Sequence, residues 1–146
     1  MGLEAPEYWE SLIKKGVTRY LLLDMLSKRP MHGYDIAKSI GACCEDWCTP
    51  TDGMIYPTIR ELERGGYLEC IEEMSGGRKR NVCHLTPKGQ SAHRAGAQVW
   101  AEMLPYLRQS VEDAGVVTET PETWQATSGW KTKSGREEKD HGNQDR

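Results

Sequence analysis

Two groups of side chains in this chain have the type and spacing to do chemistry. Arg78, Lys79 and Arg80 follow one another directly after Ser75-Gly76-Gly77. Three adjacent cations at a turn, with no neighbouring acid in sequence, suit contact with phosphate oxygens. The second group is Cys43, Cys44 and Cys48. Their thiolates suit a soft cation such as Zn(II), Cu(I) or As(III), or reversible oxidation to a disulfide. Cys44 and Cys48 share a face at i, i+4 if local helix persists. No C-x-x-C pair accompanies them, and a fourth ligand is not evident, His32 and Asp46 being the options. The plainer alternative is reduced thiols, with Cys43 or Cys44 filling the core as small apolar groups. No Ser-His-Asp set, catalytic carboxylate pair or phosphate-cradling glycine loop occurs at the needed spacing, so no enzyme is expected.

The cations need an element to hold them. Asp52–Gly89 reads as a short amphipathic helix, a Gly65-Gly66 stop, two short strands over Tyr67–Met74 and Arg80–Thr86, and a helix starting at Thr86-Pro87. Ser75-Gly76-Gly77 is the hairpin turn. In the first helix Ile55, Ile59 and Leu62 face inward, while Tyr56, Thr58, Arg60 and Arg64 face outward. Thr51 or Asp52 supplies its N-cap oxygen, and Pro57 is close enough to the start to be tolerated. This is the shape of a winged helix-turn-helix, with a helix for a DNA major groove and a basic loop for phosphate. Thr51, Thr58 and Arg60 are placed for groove contact and Tyr56 for a phosphate oxygen. Arg60 could instead pair with Glu61 or Glu63. Cys70 and Cys83 fall on the two strands and could face one another beside Leu68 and Leu85; core packing is expected ahead of a cross-strand disulfide.

Upstream, Pro6–Lys15 reads as a short helix interrupted by Gly16, followed by a stronger one over Val17–Lys28 that Arg29-Pro30 ends. Tyr34, Ile36, Ala37 and Ile40 make another short helix, stopped by Gly41, from which Tyr34 and Lys38 could reach the DNA backbone. Downstream, an amphipathic helix runs from Pro87 to about Glu112. Its apolar face exceeds what so small a domain can cover, which points to a homodimer. Trp9, Trp100 and Tyr106 could line a cavity for a flat apolar effector, with aromatic packing between helices as the plainer reading.

The resulting division is an N-terminal helical arm over 1–16, a winged helix-turn-helix over 17–87, a dimerisation helix over 88–112 and a disordered tail over 113–146, in a mainly α (α+β) fold. The tail is too poor in apolar side chains to offset its ordering entropy. The net charge of the 146 residues is −3, yet five cations and no acid lie between Gly76 and Arg94, as suits one defined site on DNA. No run approaches a membrane span and no signal peptide opens the chain. A cytoplasmic protein with mainly reduced thiols is therefore expected.

Three ordered blocks carry a resemblance: LLLDMLSKRPMHGYDI (Leu21–Ile36), GMIYPTIRELERGGYLE (Gly53–Glu69) and GGRKRNVCHLTPKG (Gly76–Gly89). Together they resemble the PadR family of winged-helix transcriptional regulators, in its shorter subtype with a single C-terminal helix. The resemblance implies a dimeric repressor that binds a double-stranded operator and is released by a small-molecule or metal effector. It also implies that Tyr56 and Pro57 belong to the recognition helix. The three thiols at Cys43, Cys44 and Cys48 depart from the family's pattern. They raise an alternative, a metal or redox sensor on the same scaffold, which could carry a soft metal ion. A further alternative is an interaction module without DNA, with Trp124 and Trp130 as adhesive points.

Overall fold

The computed structural model describes residues 2–44 and 46–116. In chain order they form α1 (Pro6–Lys28), β1 (Met31–His32), α2 (Gly33–Cys43), α3 (Asp52–Arg64), β2 (Leu68–Ser75), β3 (Arg78–Leu85) and α4 (Pro87–Asp113). The strands make one antiparallel sheet in the order β1-β3-β2. The architecture is the mixed α+β arrangement expected for a winged helix, with one more strand than the sequence predicts. That strand is only Met31–His32, paired with Cys83 and Val82. Two residues are too few for an alternating pattern to register.

Two glycines behave differently from expectation. Gly16 does not interrupt the first helix, which is continuous from Pro6 to Lys28. A helical glycine costs only about 1 kcal/mol relative to alanine, and the same helix buries Leu22, Leu23, Met25 and Leu26. Gly41 does not stop α2 either. It is buried within the helix, and a Cβ there would meet Asp46 Oδ1 at 2.9 Å and the Thr49 side chain. Its role is to let the following link fold back against the helix.

The core lies between the helices and the inner face of the sheet. Leu22, Ile36, Ile40, Ile55 and Cys83 are its largest fully buried side chains. Ile55, Ile59 and Leu62 of α3 all point into it, as their spacing requires. The hairpin is in register from Leu68↔Leu85 to Ser75↔Arg78. Gly76 and Gly77 both adopt positive φ, 59° and 78°. A two-residue turn of that handedness matches the twist of the strands it joins.

The expected last helix is present as α4, capped at its start by the Thr86 hydroxyl, which accepts from the Gly89 amide at 3.1 Å. The first compact unit ends at Met103. The described part of the second, from Leu104 to Val116, carries the end of α4, including Pro105. The expected tail falls almost wholly outside the described residues, as do Trp124 and Trp130. Among the described residues no helix is long and apolar enough to cross a membrane.

Candidate nucleic-acid interface

The surface that α3 shares with the hairpin begins with how α3 is fixed at each end. At its start, the Thr51 carbonyl accepts from the amides of Met54 and Ile55, both at 2.9 Å. Neither Thr51 nor Asp52 supplies the side-chain cap that the sequence predicts. At its end, the Lys88 ammonium donates to the Gly65 carbonyl at 2.7 Å and lies 4.5 Å over the Tyr67 ring. A cation at exposed carbonyls complements the helix dipole. Lys88 thus serves the helix terminus and not the free basic face that its sequence position suggests. Thr86 donates to the Gly66 carbonyl at 2.6 Å, so the start of α4 holds the same corner.

Between α3, the start of α2 and the hairpin lies an open cleft of about 950 Å³. Tyr34, Tyr56 and Arg60 border it on the helical side, Lys79 and Arg80 on the hairpin side. Tyr34 is 68% exposed and Tyr56 43%. The placement of Tyr56 depends on Gly33, where a Cβ would lie 2.8 Å from the phenol ring. His32 also borders the cleft, and its Nδ1 is buried without a hydrogen-bond partner among the described residues.

The remaining predicted DNA contacts divide. Lys38, Thr51, Arg64 and Arg78 are exposed but lie outside the cleft, with Arg78 at the hairpin tip. Thr58 is not an outward position. It is half-buried, and its hydroxyl donates to the Met54 carbonyl at 2.7 Å, one turn back on the same helix. Lys79 does have an ionic partner, Glu72 at 3.5 Å across the hairpin. Both groups are well exposed, so this pair is worth at most about 1 kcal/mol and leaves the ammonium free to exchange partners. Arg60 borders the cleft while its neighbour Glu61 pairs with Arg19, at 2.7 Å. Asn81 borders the cleft beside Arg80 without any signal in the sequence; only the hairpin register shows which way it faces.

The cysteines are where sequence reasoning and structure differ most. Cys44 is bonded to Cys48 and Cys70 to Cys83, leaving Cys43 as the free thiol. This corrects the expectation of mainly reduced thiols, and of core packing alone for Cys70 and Cys83. The register explains the second bond: those two residues are directly opposed, with Cα atoms 4.0 Å apart. Cys83 is nevertheless a core residue as well. The first bond joins the i, i+4 pair, at a Cα separation of 5.9 Å. It occupies two of the three thiols that a soft metal would need. Among the described residues, no group of three or more His, Cys, Asp or Glu is arranged to hold a metal ion. Burial pushes the Cys43 thiol above its ordinary pKa, with Lys28 acting against that and Asp24 adding to it.

Within the first compact unit, Trp9 and Trp100 of the predicted effector trio have separate surroundings. Trp9 packs edge-on against Tyr8 and donates to the Leu3 carbonyl at 2.8 Å. Trp100 lies against Tyr20, which also stacks on His93. Tyr106 is 75% exposed.

Comparison with known proteins places this surface in context. A family model described as the transcriptional regulator PadR-like family matches residues 22–95. Transcriptional regulator YqjI of Escherichia coli is 37% identical over 74 residues, which cover 51% of this chain and 34% of YqjI. The chain thus spans about a third of the length of that curated relative. A PadR family regulator from Clostridium difficile superposes with a TM-score of 0.58 at 22% identity, covering 65% of this chain and 98% of that one. Bacillus subtilis PadR, solved in complex with operator DNA, gives 0.51 at 23% identity, covering 56% and 45%.

Proposed function

This chain belongs to the PadR-like family of transcriptional regulators, and on that premise we propose that it is a dimeric operator-binding repressor released by an effector. One observation carries the proposal. Tyr56 and Arg60 of α3 and the hairpin cations Lys79 and Arg80 border a single open cleft. A recognition helix and a basic ribbon on one side of the molecule are what simultaneous reading of a groove and its flanking phosphates requires. The Bacillus subtilis relative was solved with operator DNA, and we carry that mode of binding over to this chain.

The roles follow from side-chain chemistry. Arg60 suits a bidentate contact to guanine. Tyr34, Tyr56 and Lys38 suit the phosphate backbone, as do Arg78, Lys79 and Arg80 at the wing. Thr51 and Arg64, exposed at the two ends of α3, suit flanking contacts. The dimer would form through α4, where Val99, Met103, Tyr106 and Leu107 are exposed apolar residues. Exposed large apolar side chains recurring along one helix favour an interface. An effector is the proposed release signal, and the cytoplasm the proposed compartment.

The test is fluorescence anisotropy with duplex DNA from the chain's own upstream region, chosen for a two-fold repeat. Arg78→Ala combined with Lys79→Ala should weaken binding to all sequences and flatten the salt dependence, by about 0.9 in log–log slope for each phosphate no longer neutralised. Unchanged affinity in the double variant would remove the wing from the interface.

A further inference from the structure

We propose that the Cys44–Cys48 pair, in the link that leads into α3, is a redox switch for DNA binding, with the disulfide form competent to bind and the dithiol form weakened. This deepens the operator-binding reading and rests on it. The bond lies in the link between Cys43, the last residue of α2, and Asp52, the first of α3. That link leads directly into the start of α3, which forms one wall of the cleft. Cys48 is a core residue, 4% exposed, and Pro50 beside it is buried. The bond therefore fastens the end of α2 to the point at which the link is anchored in the core.

Among the described residues, the other contacts of the link are weaker or more local. Asp46 sits at a φ of 63°, a conformation that non-glycine residues adopt at a cost. The Cys44 and Asp46 amides both turn back to the Gly41 carbonyl, and the Trp47 amide bonds the Cys44 carbonyl. The Thr49 hydroxyl bonds Asp46. These bonds are internal to the turn, and none of them reaches α3. The Trp47 ring lies 5.3 Å beneath the Lys14 ammonium, a contact to α1. On this proposal, loss of the sulfur bridge lets the link leave the left-handed conformation at Asp46 and shifts the start of α3, while Ile55, Ile59 and Leu62 keep the helix seated in the core.

The second disulfide has a different status. Cys70–Cys83 lies inside a ladder of eight opposed pairs running from Leu68↔Leu85 to Ser75↔Arg78. Breaking it should leave the strands paired and the wing in place. The structure thus separates a bond that aims an element from one that reinforces an element already aimed.

The chemistry is thiol–disulfide exchange with a small dithiol. One thiolate of the dithiol attacks Cys44 Sγ, the half-buried sulfur, and the buried Cys48 sulfur leaves as a thiolate and takes a proton. The second thiol of the reductant then displaces Cys44. The products are two protein thiols and one cyclic disulfide, so two electrons and two protons pass from the dithiol to the protein. A low-molecular-weight disulfide runs the exchange in reverse. Cys43, the free thiol, lends no sulfur to either disulfide, and burial raises its pKa.

The test uses the full chain, oxidised or treated with dithiothreitol, with thiol titration to establish the state. Two readouts are taken: anisotropy on the upstream duplex, and amide hydrogen exchange without DNA. Reduction should weaken operator binding about tenfold, as expected if about a tenth of the molecules then hold α3 correctly aimed. Oxidised glutathione should restore it. Exchange should accelerate in Met54–Arg64 but not in Leu68–Leu85. Cys44→Ser and Cys48→Ser should bind weakly in both conditions. Cys43→Ser should respond like the parent, and Cys70→Ser combined with Cys83→Ser should keep the response. Equal affinity before and after full reduction, with α3 exchange unchanged, would overturn the switch while leaving operator binding intact. Failure of every form to bind DNA would overturn both readings.

Discussion

At the scale of single residues, the interface depends on small spaces as much as on charges. Tyr56 reaches the cleft because residue 33 has no Cβ. Gly33→Ala should displace the ring, lower DNA affinity and cost about 1–3 kcal/mol in unfolding free energy, read from denaturant titration and anisotropy together. Arg60→Ala should cost about 1–3 kcal/mol in binding to the operator and relax discrimination at one base position, with less effect on unrelated DNA. Equal losses on both duplexes would make Arg60 a phosphate contact. Cys43 should resist alkylation by iodoacetamide at neutral pH and react as the pH rises past the usual thiol range, because burial raises its pKa. The outward positions Tyr56 and Arg60 are legible from helical spacing alone. Thr58 is not, since its hydroxyl turns back to the Met54 carbonyl. The role of Lys88 is equally hidden, because its partner, Gly65, is distant in sequence.

At the scale of elements, the corner joining α3, the hairpin and α4 is the tightest joint. A Cβ at Gly89 would collide with the Tyr67 carbonyl, a backbone atom that cannot rotate away. Gly89→Ala should therefore destabilise the fold by roughly 2–4 kcal/mol, a thermal-unfolding measurement, and loosen the wing with it. Ile55→Ala, at a fully buried position of α3, should cost about 2–5 kcal/mol. The elements with strong periodicity or clear punctuation, α3, α4 and the Gly76-Gly77 hairpin, are readable from sequence. Those that are not escape for tertiary reasons. Gly16 reads as a break but sits in a helix that core burial carries through it. Gly41 reads as a stop but makes room for Asp46 and Thr49. The strand β1 exists only because β3 is there to pair with it.

At the scale of the whole molecule, a negatively charged chain presents a local basic edge and an exposed apolar helical face. Replacing Val99 and Met103, both exposed on α4, with Lys should convert a dimer to a monomer in sedimentation velocity and weaken operator binding with it, while the fold persists by circular dichroism. The central claim is that α3 and the wing act together on one duplex. It is tested most directly by anisotropy titrations of the chain and of its Arg78→Ala, Lys79→Ala, Arg80→Ala variant, across a salt series, on the upstream repeat and on a scrambled duplex of equal length. Binding to the repeat should be tighter than to the scramble, and the log–log salt slope should fall by about 2–3 in the variant. Equal affinity for repeat and scramble, or a slope untouched by removal of the three cations, would contradict it.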